Sequence, residues 1–447
     1  MRKRSRSTWL ALGVVLSLVL VACGGDGPTD TTAAATDTTA AAPDTTAAAT
    51  DTTGAALDTT AAAPDTTAAT PEATEPTSGE PIRIGALTDL TDFTPWAVQA
   101  RDGMLLAAEE INAAGGVDGR MIEIVVQDSA NDADAGIDGF ERLVEDGVVA
   151  LGGVISSTVG AAISPLAEEL EMPTFLVKSG TEAALTADSH FMFRSCLPAA
   201  PMTAGPVLQY AQEEGLTNVG VIIADYAWGQ AFAGAVETTF EGSGVDYGEI
   251  QVAPVPPDTD FTPFVRAMAD AGAQMVVATG HPPGNAAILG LSADLIGDVP
   301  VTGAWIPPDL AVAAQPEVAV GRYTDFSCAD YGSDGYAALA ERYLAFSDNA
   351  FMSDDAVAGF GIVTMVAEAV GEVGDDPVAI ADYMHQNSFE LEGYAHPVSW
   401  TEWGELAESQ PTFFGITEGP PPEGLNEAGD WWIEVLSQSE PLEPYQP

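Results

Sequence analysis

Side chains able to do chemistry are thinly spread along this 447-residue chain. Its four histidines, His190, His281, His385 and His396, stand alone, and Ser156 and Ser157 lie outside any GxSxG elbow. No GxGxxG follows the apolar run 82–87, no GxxxxGK precedes a Ser or Thr, and neither HExxH nor a paired CxxC occurs. The acidic stretch 128–138 departs from a calcium loop because Gly136 stands where the third Asp or Asn belongs, so it reads as a loop capping the next helix. With no candidate nucleophile, cofactor loop or metal set, the chain reads as a binding protein and not an enzyme, with no cofactor.

Charge narrows the partners. Thirteen Lys and Arg stand against 67 Asp and Glu, a net −54, and Arg2, Lys3, Arg4 and Arg6 use up four of the basic residues at once. The nine that remain are scattered singly, so no basic face exists to neutralise phosphates; nucleic acid and anionic membrane surfaces are excluded as docking partners. So acidic a surface suits a salty exterior, where screening blunts self-repulsion.

The chain opens with a basic start and an apolar run from Trp9 to Ala22, too short for a comfortable membrane span, which reads as an export signal. Leu20-Val21-Ala22-Cys23-Gly24 resembles the bacterial lipobox, which implies cleavage of a signal peptide, 1–22, and lipidation of Cys23. The alternative is an ordinary signal peptide with an incidental cysteine. Lipid on Cys23 would tether the protein to the outer face of the cytoplasmic membrane, and no later segment is expected to cross a bilayer. From 23 to 80 runs a linker in which Asp-Thr-Thr recurs every seven residues, at Asp30, Asp37, Asp44, Asp51, Asp58 and Asp65. It lacks an apolar seam and Pro43, Pro64 and Pro71 interrupt it, so it is expected to be an extended stalk and not a coiled coil, with a reach on the order of 40 Å or more.

Beyond Pro81 short apolar runs alternate with amphipathic stretches. Strands are expected at 82–87, 121–127, 148–151 and 174–177, with helices at 103–112, 134–146 and 156–170 between them. A second series places strands near 219–224, 274–279 and 299–304 and helices near 229–240, 263–271 and 285–295. Such alternation predicts an α/β fold of two doubly wound, Rossmann-like lobes with a ligand cleft beyond the carboxyl ends of the strands.

The segments PIRIGALTDLTDFTPWAVQARDGMLLAAEEINAAGGVDGRMIEIVVQDSAND and ALGGVISSTVGAAISPLAEELEMPTFLVKSGTEAALT, with VSWTEWGEL near the end, resemble the branched-chain amino acid binding proteins of ABC importers. The likeness runs through the whole globular part. It implies a type I periplasmic binding fold with three hinge crossings, near 194–197, 326–329 and 397–400. One lobe would hold 81–197 and 329–398, the other 198–328 and 399–447. It further implies a monomer that takes a small-molecule solute and delivers it to a membrane permease with its ATPase; a solute-sensing ectodomain is the other reading.

By the same resemblance, Ser156, at the start of a helix, and Ser179 and Thr181, on the following loop, would bind a ligand carboxylate. Trp96, Trp228 and His281 would close over its apolar part. Trp305 falls where amino acid binders put the acid that pairs with the ammonium, so either Asp225, Asp309 or Asp92 replaces that acid or the solute is a non-amino acid or amide. A branched-chain or other hydrophobic amino acid is the leading expectation. Cys196 and Cys328 would lie beside two crossings that run close together in this fold, where a disulfide is expected in an oxidising location; two buried free thiols are the alternative.

Overall fold

Residues 79–91, 94–255, 259–279, 284–303, 307–422, 425 and 430–447 are described by the computed structural model. The expected export signal, Cys23 and the stalk up to residue 78 lie outside them, as do Asp92, His281 and Trp305.

The first sheet is built from β1 (Ile82–Thr88), α1 (Thr94–Ala113), β2 (Ile122–Asp128), α2 (Ala133–Glu145), β3 (Ala150–Val154), α3 (Ser157–Glu169), β4 (Thr174–Leu176) and β5 (Met192–Arg194). Its five strands are parallel in the order β2-β1-β3-β4-β5, with Ile82 opposite Ile122 and Ile84 opposite Ala150. A second series follows: α4 (Ala200–Glu213), β6 (Gly220–Ala224), α5 (Ala227–Phe240), β7 (Gln251–Ala253), α6 (Thr262–Asp270), β8 (Val276–Thr279) and α7 (Gly284–Leu295). After these come β9 (Val301–Thr302), α8 (Pro308–Ala314), α9 (Pro316–Ala319) and β10 (Tyr323–Ser327). Three helices then return to the first lobe: α10 (Asp334–Phe346), α11 (Asp354–Val373) and α12 (Pro377–Gln386). The chain ends with β11 (Thr412–Glu418) and β12 (Trp431–Gln438), which extend the second sheet antiparallel to give the order β12-β11-β10-β9-β8-β6-β7. Strands such as β3 and β6 are buried along their whole length, which is why they read as unbroken apolar runs and not as alternating ones.

By length and composition α11 could cross a membrane, contrary to the expectation that nothing after the signal could. Its apolar surface is used instead within the first lobe, against α1. Gly103 and Gly359 make that contact close: a Cβ on either would fall about 2 Å from a carbonyl oxygen of the other helix, that of Ala356 or Ala100. Helix α1 itself begins at Thr94, nine residues before the expected start, with Pro95 in its first turn, where a missing N–H does no harm.

The chain passes from the first sheet to the second between β5 and α4, and leaves the second after β10. Its final return runs later than 397–400. Trp400 Nε1 donates to the Arg194 carbonyl at 2.6 Å and the Arg194 amide donates to the Gly404 carbonyl at 3.0 Å, holding this stretch on the first lobe. The second sheet is rejoined only at Thr412, so the crossing lies after Leu406 and not at 397–400.

Cys196 and Cys328 are joined across the first two crossings, with Cα atoms 5.2 Å apart and a separation of 132 positions in sequence. A cross-link closing so long a loop removes disorder from the unfolded chain. The full chain, unfolded without reductant, should titrate with at most the one thiol of Cys23. Replacing both Cys196 and Cys328 by Ala should lower the unfolding free energy by about 2–4 kcal/mol in a urea titration.

Candidate functional site

The carboxyl ends of β1, β2 and β3 converge on the start of α3. Asp89, directly after β1, has no exposed surface, and three donors hold it. The Ser129 hydroxyl and the Asn131 amide give to one carboxylate oxygen at 2.5 and 3.1 Å, and the Ser156 amide to the other at 2.8 Å. Burial raises the Asp89 pKa, these three hydrogen bonds oppose the rise, and nearby Asp128 adds to it. The acidic stretch after β2 contributes a cap as well: Asp132 accepts from the Ala135 amide at 2.9 Å to start α2.

Ser156 is the N-cap of α3. Its Oγ accepts from the Thr158 and Val159 amides at 3.1 and 3.3 Å and donates to Asn131 Oδ1 at 2.6 Å. The side chain of the neighbouring Ser157 is turned the other way: its Oγ accepts the Gly180 and Thr181 amides at 3.1 and 3.3 Å. Its own amide has no partner among the described residues. One helix start thus organises two loops.

Arg194 fixes the far side of the 178–181 loop. Its guanidinium donates to the carbonyls of Ser179 and Thr181, the latter at 2.7 Å, and its Nε donates to Glu405 at 2.9 Å; both charged side chains are fully buried. Burial raises the Glu405 pKa and Arg194 opposes the rise. Ser179 Oγ has no hydrogen-bond partner among the described residues and rests against the α3 backbone at Gly160. Thr181 caps the short 3-10 turn Glu182–Ala184, accepting from the Ala183 amide at 3.4 Å.

From the second lobe, the start of α5 faces these groups. Tyr226 precedes the helix, and burial, then the charge of Asp89, push its phenol pKa up. Trp228, 4% exposed, packs closely against Gly180: a Cβ there would fall 2.1 Å from the indole ring. Only glycine admits this contact between the lobes. Trp96 is buried in the first turn of α1. Among the acids considered as ammonium partners, exposed Asp225 accepts from Gln230 at 2.8 Å, and Asp309, in the first turn of α8, has one buried oxygen without a partner among the described residues. Burial pushes the Asp309 carboxyl up to about 6.

A second charged group lies beside the disulfide. Lys178 pairs with Asp354 at 2.8 Å and reaches Asp355 at 3.9 Å; burial works against its ammonium, but the two acids outweigh it and hold its pKa above the usual lysine value. Burial raises Asp355 and pushes Asp325, in β10, up to about 7, although Tyr323 donates to Asp325 at 2.7 Å and Lys178 stabilises its charge. Asp354 also approaches the sulfurs of Cys196 and Cys328, but a disulfide leaves no thiolate to ligate a metal.

Ser156, Ser179, Thr181 and Trp228 therefore come together at one junction of the two lobes. Sequence reasoning offered the Ser157 and Thr158 amides as anion donors, and of these the Thr158 amide is taken by Ser156 Oγ; it missed Asp89, the hold of the Ser157 hydroxyl on the 178–181 loop, Tyr226 and the Arg194–Glu405 pair. Tyr226 stands two residues from the Trp228 it did select, and Ser157 is the twin of Ser156.

Across residues 81–414, three quarters of the chain, the sequence matches the profile of the periplasmic binding protein family. The chain belongs to that family. Within it the relatives are of the type I, branched-chain amino acid kind. The leucine-, isoleucine-, valine-, threonine- and alanine-binding protein of Pseudomonas aeruginosa is 24% identical over 299 residues, 65% of this chain and 78% of the relative. Among solved structures, the solute-binding protein of an ABC transporter from R. palustris, in complex with benzoate, has a TM-score of 0.69 at 17% identity, covering 82% of this chain and 98% of that one. The fatty acid ABC transporter substrate-binding protein of Thermomonospora curvata gives a TM-score of 0.68 at 19% identity, covering 81% and 94%.

Two outcomes follow for this periplasmic binding protein. Arg194→Ala leaves Glu405 buried and unpaired and releases the 178–181 loop, so it should lower the unfolding free energy by about 3–5 kcal/mol in urea, and Arg194→Met with Glu405→Leu should restore much of the loss. The folded Asp325 keeps its proton to about pH 7, against 3.8 for a free side chain, so between those values the folded state binds the extra proton and this group's contribution to stability falls as pH rises. Urea midpoints measured from pH 4 to 7 should show a less negative slope for Asp325→Asn than for the parent protein.

Proposed function

We propose that this solute-binding protein is the envelope-anchored receptor of an ABC importer, held by lipid on Cys23 and a stalk. It captures a small solute that joins a carboxylate to an apolar body and hands it to a permease. The observation that carries this reading is the junction of the lobes: the unpartnered Ser157 amide at the start of α3 and the clamped 178–181 loop meet the aromatic start of α5. Backbone amides at a helix start suit an anion, and aromatic rings suit an apolar body. The solutes named for the relatives, aliphatic amino acids, benzoate and fatty acid, share that carboxylate and apolar part. Bridging both lobes, such a solute stabilises the closed arrangement over the open one, which presents a distinct surface to a permease.

Calorimetric titration of acids against their own amides tests the carboxylate. The acid should bind more tightly by about 1.5–3 kcal/mol, the range for hydrogen bonds to a charged group. Amides that match or exceed their acids would remove the carboxylate from the reading. The anchor is checked separately: full-length protein should sediment with membranes, and Cys23→Ala should leave it unprocessed or free.

A further inference from the structure

The segment that follows β12 carries proline at every third residue, Pro441, Pro444 and Pro447. Proline fixes φ and removes an amide, so this spacing favours an extended backbone with three residues per turn, stiff before it meets anything. In that geometry one residue in three shares a face. Ser439, Leu442 and Tyr445 have this spacing, and among the described residues they supply the backbone groups that bond the segment to the rest of the chain. The Ser439 amide donates to the Pro411 carbonyl at 3.0 Å and the Leu442 amide to the Ser409 carbonyl at 2.9 Å. Farther on, Trp403 Nε1 donates to the Tyr445 carbonyl at 3.0 Å. The partners fall in descending order, 411, 409 and 403, so the segment runs back beside the last crossing, from the second lobe to the first.

Trp403 is moored to the first lobe. It sits in the turn 401–405, closed by the Thr401 amide on the Glu405 carbonyl at 2.9 Å, and its neighbour Gly404 lies so close to β5 that a Cβ on it would collide with the Met192 carbonyl oxygen. Aromatic surfaces are what proline-rich segments dock on when two molecules meet; here ring and segment belong to one chain. Between its two ends the segment also enters the hinge. Leu442 lines one cavity with Leu197 of the first crossing, Phe326 and Cys328 at the second and Pro411 of the last.

We propose that residues 439–447 are a strap that spans the hinge a fourth time, through hydrogen bonds instead of a covalent crossing, and biases the lobes toward the closed arrangement. Rotation of one lobe against the other bends the crossings. With the strap docked, the last crossing is doubled over 409–411 and Leu442 sits among all three, so opening must lift Tyr445 from Trp403 or draw Leu442 out of its cavity. A segment stiffened by its prolines loses little freedom on docking, which is what lets so few contacts hold it. The strap acts on the hinge whatever solute is bound, and it stands or falls apart from the carboxylate reading.

Hydroxyl-radical footprinting of the full chain, with no solute added, tests the strap, because Trp228 is covered where the lobes meet and is uncovered when they part. The parent protein is compared with Trp403→Phe, which keeps a ring and removes the donor, and with a chain ended at Glu440. Each change should raise the oxidation rate of Trp228 about threefold or more, as expected when a hydrogen bond made only in the closed arrangement is lost. Phe140 and Phe240, buried in the cores of the first and second lobes, should stay as protected as in the parent. Unchanged oxidation of Trp228 in both variants would overturn the proposal. So would a rise at Trp228 no larger than that at Phe140 and Phe240, since the segment would then support the fold as a whole and not the hinge. If the shortened chain does not fold, Trp403→Phe decides by the same comparison.

Discussion

A guanidinium with no access to water sits where the first lobe hands the chain to the second. Arg194 closes β5, and its planar fork is spent in three directions: one arm to Glu405 and two to the carbonyls of Ser179 and Thr181. Burying such a pair is unfavourable unless every donor finds an acceptor, and replacing it with apolar groups is often neutral or better for stability. Its value here is geometric. The same residue receives Trp400 on its carbonyl and gives its amide to Gly404, so the irregular return segment, the crossing after β5 and the 178–181 loop are referenced to one residue. The 178–181 loop is fixed from behind by Arg194 and from in front by Ser157, which holds its single glycine in place against Trp228.

The alternation of apolar runs was legible because a parallel sheet buried on both faces leaves long uninterrupted hydrophobic strands, and β3 and β6 are of that kind. Element edges were less legible. α1 begins at Pro95's turn because proline is welcome at a helix start, yet the same Thr-Pro reads equally well as a loop. At the site, Ser156 and Ser157 carry identical chemistry, and only the direction of each Cα–Cβ bond on the first turn of α3 separates the capping serine from the one that grips the loop. Arg194 and Glu405 are 211 residues apart, and no periodicity connects a residue ending one strand with a residue in an irregular return segment. Pairings of that sort are set by topology, which composition and spacing carry only through the resemblance.

Only two lysines occur in the chain, Lys3 and Lys178, and Lys178 is nearly buried among Asp354, Asp355 and Asp325. In a protein with so large an excess of acid, repulsion between buried carboxylates is the main electrostatic hazard. The structure meets it in two ways. At the hinge a single ammonium serves a group of acids, which leaves Asp325 titrating near neutrality. At Asp89 no cation is supplied among the described residues, and three hydrogen-bond donors carry the charge instead.

That difference separates the mechanical part of the molecule from the selective part. The contact of Trp228 with Gly180 is between a ring and a backbone, so closing the lobes there makes no demand on the polar character of the solute. The disulfide and the Lys178 group lie at the crossings themselves and bear on how the lobes move, not on what lies between them. Discrimination between solutes of similar size must then come from the few polar groups facing the junction, and those are an amide array and an acid that shares it.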